Sequence, residues 1–103
     1  MIIYEDAVID YLDDLVYELY KKEYFGFLES AYNFADNIID FIENSIDTFP
    51  SKKTPESLQH FGSKYIFYKS NQRTTWYIFF ENFENKYLIT NIINSHCEEA
   101  KYL

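Results

Sequence analysis

Two hydrophobic periods run along this chain, and they change over near residue 50. Over residues 6–23, Val8, Leu12, Leu15 and Leu19 form one stripe at steps of three and four, flanked by Ile9, Val16 and Tyr20. Asp10, Asp13, Asp14 and Lys21 face elsewhere, and Glu18 and Lys22 stand four apart in the order that favours a surface ion pair. Lys21 and Lys22 suit the negative end of a helix dipole, and Gly26 supplies a stop. Over residues 28–47, Leu28, Ala31, Ala35, Ile38, Ile42 and Ile46 repeat the spacing, with Phe27, Phe34 and Phe41 as a second line. The wider apolar face predicts that this second helix is the more buried. A short connection at Gly26 predicts an antiparallel helix hairpin; one helix bent at Gly26 is the alternative.

Pro50 ends the helical pattern, because the residue before a proline avoids helical backbone angles. Thr54 followed by Pro55 predicts a cap and about one turn of helix, ending near His60 and Gly62. The pattern then becomes extended. Residues 65–68, 74–81 and 87–93 are rich in aromatic and β-branched side chains, separated by polar breaks at 70–72 and 82–86. Three such runs predict an antiparallel meander. Residues 1–4 read either as a short strand or as the start of the first helix. The expected architecture is α+β: an N-terminal antiparallel helix hairpin packed on one face of a three- to four-stranded antiparallel sheet, in a single domain spanning 1–103. The middle run is apolar on both faces. Its second face either stays open as a partner site or is buried as the strands curl.

Composition narrows the class. Of 103 residues, 48% are hydrophobic and 21% aromatic, too apolar for a disordered segment. A single Cys excludes an internal disulfide framework. The first residues carry no basic start and no long apolar run, and no uncharged stretch reaches the ~20 residues of a membrane helix. A cytoplasmic protein with no membrane partner is expected. The net charge is −8, unevenly placed. Residues 1–50 hold 12 acids and 2 lysines, whereas residues 51–103 hold 7 bases and 5 acids. A basic footprint over the whole domain is therefore missing, and contact with a polyanion has to use a local patch. The acidic half reads as a solvated helix surface.

The residues themselves exclude several chemistries. No glycine-rich phosphate loop, Ser-His-Asp arrangement or dinucleotide motif occurs. His96-Cys97 lacks the further ligands of a zinc site, and His60 beside the short helix needs no role. No metal and no cofactor are expected.

The order of elements, together with Gly62-Ser63-Lys64-Tyr65-Ile66-Phe67-Tyr68, Arg73-Thr74-Thr75-Trp76-Tyr77 and Ile92-Ile93-Asn94-Ser95-His96, resembles the RelE/ParE superfamily of type II toxin–antitoxin toxins, which includes plasmid stabilisation proteins. The resemblance spans most of the chain and implies the same two-helix-on-sheet fold. It implies a small toxin neutralised by a cognate antitoxin. RelE-like members cleave mRNA in the ribosomal A site without a metal, and ParE-like members poison DNA gyrase. Carried over by position, His96 and Arg73 are the catalytic candidates: His96 matches a terminal His, and Arg73 a phosphate-contacting Arg. Lys64 and Lys69 add charge for RNA or target binding, and Tyr68 and Tyr87 offer base stacking. Three alternatives follow: an mRNA endonuclease, a gyrase inhibitor, and a catalytically inactive member serving as an antitoxin-binding or structural protein. The acidic charge favours the latter two, and His96 the first. A basic antitoxin segment suits the acidic helices, laid as a helix or strand across apolar surface. Homodimerisation through exposed aromatics is a further alternative.

Overall fold

The computed structural model of the protein describes residues 1–21, 28–70 and 72–103. In chain order it contains β1 (Ile2–Tyr4), α1 (Asp6–Lys21), α2 (Leu28–Ser45), β2 (Lys52–Lys53), a 3-10 helix (Glu56–Phe61), β3 (Lys64–Lys69), β4 (Thr75–Phe83), β5 (Lys86–Asn94) and a second 3-10 helix (Glu98–Tyr102). The Gly26 stop, the Lys22 partner of Glu18 and Phe27 lie outside the described residues.

The meander is present: β3 pairs antiparallel with β4, and β4 with β5. The rest of the sheet corrects the expectation of three or four antiparallel strands. Among the described residues five strands lie in the order β1-β5-β4-β3-β2, and β1 runs parallel to β5. Residues 1–4 thus resolve as a strand rather than a helix start. Parallel strands need a long connection, and here everything from α1 through β4 lies between them, so the partner of Ile2–Tyr4 lies more than 80 residues away. Tyr87 N–H donates to the Met1 carbonyl at 2.9 Å and Glu5 N–H to the Ile89 carbonyl at 3.1 Å, closing the ladder at both ends. The polar break at 50–55 contains β2, whose two lysines pair with Tyr65 and Lys64.

The helices cover one sheet face. Ile38 and Ile42 of α2 and Val8 and Leu12 of α1 meet Ile66, Trp76, Ile78, Phe80, Ile89 and Ile92. Burying each such aliphatic side chain contributes about 1.5–3 kcal/mol. Ile38 and Ile42 are fully buried, in line with the wider apolar face of α2. Ile9, read as a flank of the α1 stripe, is instead 45% exposed. Tyr4 on β1 donates its phenol to Glu43 Oε1 of α2 at 2.9 Å, and burial with that neighbouring carboxylate raises the Tyr4 pKa.

The second sheet face is not left bare. Tyr65, Phe79 and Ile93 pack with Ala100 of the second 3-10 helix, and Phe61, Phe67, Tyr77, Cys97 and Leu103 close around them. The chain after β5 therefore folds back as a cover, a role its residues did not announce. Phe79 pairs with Asn91 but Phe80 with Ile89, so Thr90 is left over as a bulge. Freed from the ladder, the Thr90 hydroxyl donates to the Phe61 carbonyl. Gly62 follows at φ 155°, where an added Cβ would lie 2.5 Å from Thr90 Oγ1 and 3.0 Å from Phe79 Cβ.

Thr54 does not cap the first 3-10 helix. Pro55 occupies the cap position without a side-chain bond, and Thr54 is buried with its hydroxyl unpartnered. The Thr54 backbone is held instead, its N–H by the Ser63 carbonyl at 3.1 Å and its carbonyl by Gln59 Nε2. Among the described residues no helix is long and apolar enough to cross a membrane.

Candidate functional site

Arg73 and His96 come to the same end of the sheet. Arg73 lies in the connection between β3 and β4, where Ser70 N–H donates to the Thr74 carbonyl at 3.1 Å. Trp76 Nε1 donates to Ser70 Oγ at 3.2 Å, tying the connection to the core below. His96 was expected at the end of the last strand; β5 ends at Asn94, and His96 stands two residues beyond it in a turn.

Main-chain and hydroxyl bonds join the two segments. Ser95 N–H donates to the Thr75 carbonyl at 2.8 Å. Ser95 Oγ accepts from Thr75 N–H at 3.1 Å and donates to the Arg73 carbonyl at 3.5 Å. His96 Nε2 lies 3.1 Å from Thr74 Oγ1. Asn94 Oδ1 accepts the His96 N–H at 2.9 Å and lies 3.8 Å from Cys97 Sγ. Below this turn sits Tyr11 of α1. Burial, reinforced by Cys97, pushes its phenol up to about 12, against the pull of a hydrogen bond with Asn94. Arg73 and His96 are exposed, so both reach solvent from a hydrogen-bonded frame.

Of the other candidates, Lys69 pairs with Thr75 and shares this end. Tyr68 shares it too, but on the helix-covered face, where its ring stacks on Phe41 at 5.0 Å. Lys64 pairs with Phe80 and Tyr87 with Asn82, both toward the opposite end. Five residues of extended chain place Lys64 about 17 Å from Lys69. The Tyr87 ring packs against Phe80 at 5.9 Å. Arg73, His96 and Lys69 therefore share one end of the sheet, while Lys64 and Tyr87 stand apart. Lys64 instead faces Lys53 across β2 and β3. A cavity of about 470 Å³ beside that pair, lined by Lys53, Thr54, Pro55, Glu56 and Gln59, is likewise remote from His96.

Sequence reasoning missed Thr74, Asn94 and Ser95, the residues that position His96 and the Arg73 segment. The available signal was the cluster of short polar side chains at both strand ends, Thr74-Thr75 and Asn94-Ser95, which favour local bonds to backbone. No group of three His, Cys, Asp or Glu side chains able to hold a metal ion occurs among the described residues. An exposed imidazole can move a proton, and an exposed guanidinium at the same end of the sheet can offset charge on an anion, without one. Compared with protein-family models, with curated proteins and with solved structures, the chain matches none.

Proposed function

We propose that this chain is the toxin component of a type II toxin–antitoxin module, held inactive by a cognate antitoxin, and that it acts on translation by ribosome-dependent cleavage of mRNA. One observation carries the reading: Arg73 and His96, 23 positions apart in sequence, sit on two segments bonded through Ser95 and Thr74. In the proposed reaction a ribose 2′-hydroxyl attacks the adjacent phosphorus. Its proton goes to a base, the P–O5′ bond breaks, and the 5′ oxygen takes a proton. His96 serves one of these transfers, and Arg73 offsets the charge that grows on the phosphate oxygens. Lys69 adds positive charge at the same end.

A second reading is a member without nuclease chemistry, directed at DNA gyrase or kept as an antitoxin-binding protein. The net charge of −8 and the separation of Lys64 from Arg73 favour it. Induction in a bacterial host, with mRNA 5′ ends mapped, separates the readings. New ends inside translated codons, lost in His96→Ala and in Arg73→Ala, support the nuclease. Growth arrest without such ends refutes cleavage and points to gyrase; neither arrest nor cleavage favours the inactive member.

A further inference from the structure

The two edges of the sheet are built differently. At the β2/β3 edge, Lys52, Lys53, Lys64 and Lys69 are all exposed, and Pro50 precedes the strand. Lysine and proline on an edge discourage pairing with another chain. The β1 edge has no such guard. Its strand is Ile2-Ile3-Tyr4, with Met1 75% and Ile3 42% exposed.

The hydrogen-bond parity of β1 shows which groups are offered. Met1 and Glu5 bond toward β5, so in alternation Ile3 does too, and the main-chain N–H and C=O of Ile2 and Tyr4 point away from the sheet. The side chains alternate as well. Ile2 and Tyr4 join the helix-covered core, whereas Ile3 lies on the other face beside Leu88, its partner on β5.

We infer that β1 is a homodimer edge: two copies pair β1 against β1 antiparallel about a two-fold axis at Ile3, giving one continuous ten-stranded sheet. This register is self-complementary. Ile2 of one copy exchanges both main-chain bonds with Tyr4 of the other, using the groups that face outward. Ile3 meets Ile3 as the close, non-hydrogen-bonded pair. On the face away from the helices the row Leu88–Ile3–Ile3–Leu88 becomes contiguous, covering the exposed Ile3 side chain. One position along, Glu5 of each copy comes opposite Met1 of the other. The Met1 ammonium, which donates to the Asn85 carbonyl at 3.1 Å, thus comes to the end of the pair where the Glu5 carboxylate of the other copy stands, an opposite charge. The lysine-rich edge does not serve as well, because two copies of it would set like charges face to face.

Sedimentation of the purified chain over a concentration series up to the order of 0.5 mM tests this. The expected result is a mass rising toward twice the 12.5 kDa of one chain. Because each copy carries −8, association strengthens at higher salt. Ile3→Lys places a guarding charge on an exposed side chain, so it keeps the wild-type circular dichroism but remains monomeric. With Cys97→Ser, Ile3→Cys crosslinks under mild oxidation, since its Cα atoms fall within disulfide range, while Ile2→Cys does not. A wild-type monomer throughout overturns the inference, as does a dimer that survives Ile3→Lys or a failure of Ile3→Cys to crosslink. None of these readouts depends on toxicity, so the dimer and the toxin reading stand or fall separately.

Discussion

His96 Nε2 lies 3.1 Å from Thr74 Oγ1, a hydrogen bond that joins the turn after β5 to the residue before β4. Exposed bonds of this kind contribute little to stability, but they hold an imidazole in one orientation and bias which ring nitrogen carries the proton. Thr74→Val keeps the shape of the side chain and removes the bond. The fold should be unchanged, and the two ring nitrogens of His96 should shift toward the tautomer mixture of a free imidazole in nitrogen-edited NMR spectra. Unchanged His96 nitrogen shifts would show that Thr74 does not hold the ring.

Ser95 is the stronger joint. Its hydroxyl accepts the Thr75 N–H and donates to the Arg73 carbonyl. Ser95→Ala removes both bonds from a surface site, where water replaces them in part. A loss of about 0.5–1.5 kcal/mol is expected by urea denaturation, with faster amide exchange at Thr75. A loss confined to that amide, with the sheet interior unchanged, would place the effect in the joint.

These two residues illustrate what was legible beforehand and what was not. The stripes through Val8–Leu12 and Ile38–Ile42, and the meander of β3, β4 and β5, follow from local periods of 3.6 and 2, which single sequences display directly. The pairing of β1 with β5 has no local signature, because Ile2–Tyr4 reads the same whether its partner is near or 85 residues distant. The two-residue β2 is too short to show a period, and Lys52-Lys53 lacks strand propensity. Thr54-Pro55 carried a capping pattern that the structure uses otherwise, with Thr54 turned inward. Within the site, Arg73 and His96 come from the resemblance, which carries them over by position. Thr74, Asn94 and Ser95 did not stand out, since such side chains serve turns everywhere. The resemblance gives Lys64 and Lys69 the same charge-adding role on one strand, yet that extended strand separates them by about 17 Å.

Gly62 is the position where the backbone itself constrains the residue. Its φ of 155° and the nearness of Thr90 Oγ1, Phe79 Cβ and Phe80 N leave no room for a side chain. The Thr90 hydroxyl cannot retreat without releasing the Phe61 carbonyl. Gly62→Ala should cost about 1–3 kcal/mol. Thermal or urea unfolding measures this directly; a near-neutral result would mean that Phe61 and its helix shift away without penalty.

The core makes a sharper contrast. Ile42 of α2 is fully buried, while Tyr32 of the same helix is 53% exposed. Ile42→Ala leaves a cavity in a packed layer and should cost about 2–5 kcal/mol. Tyr32→Ala at the surface should change stability by no more than about 0.5 kcal/mol. Equal effects at the two positions would contradict the assignment of the helix faces.

Alkaline pH should weaken the fold through its tyrosines. Tyr11 is pushed up to about 12 from an ordinary value of 10.0, and burial also raises Tyr65, with Tyr77 adding to the effect. A phenol whose pKa is raised in the folded state favours the protonated form there. Below pH 10 both folded and unfolded chains keep the Tyr11 proton, and the full stability is present. Between about pH 10 and 12 the unfolded chain loses that proton while the folded chain retains it. The unfolded state then binds fewer protons, so stability falls as pH rises through this window. Lysines titrate in the same range, which makes the difference between wild type and Tyr11→Phe the informative quantity. Urea midpoints measured from pH 9 to 12 should decline less steeply in Tyr11→Phe, although the variant starts lower for want of the Asn94 bond. Parallel declines in the two proteins would show that Tyr11 ionises as freely in the folded chain as in the unfolded one.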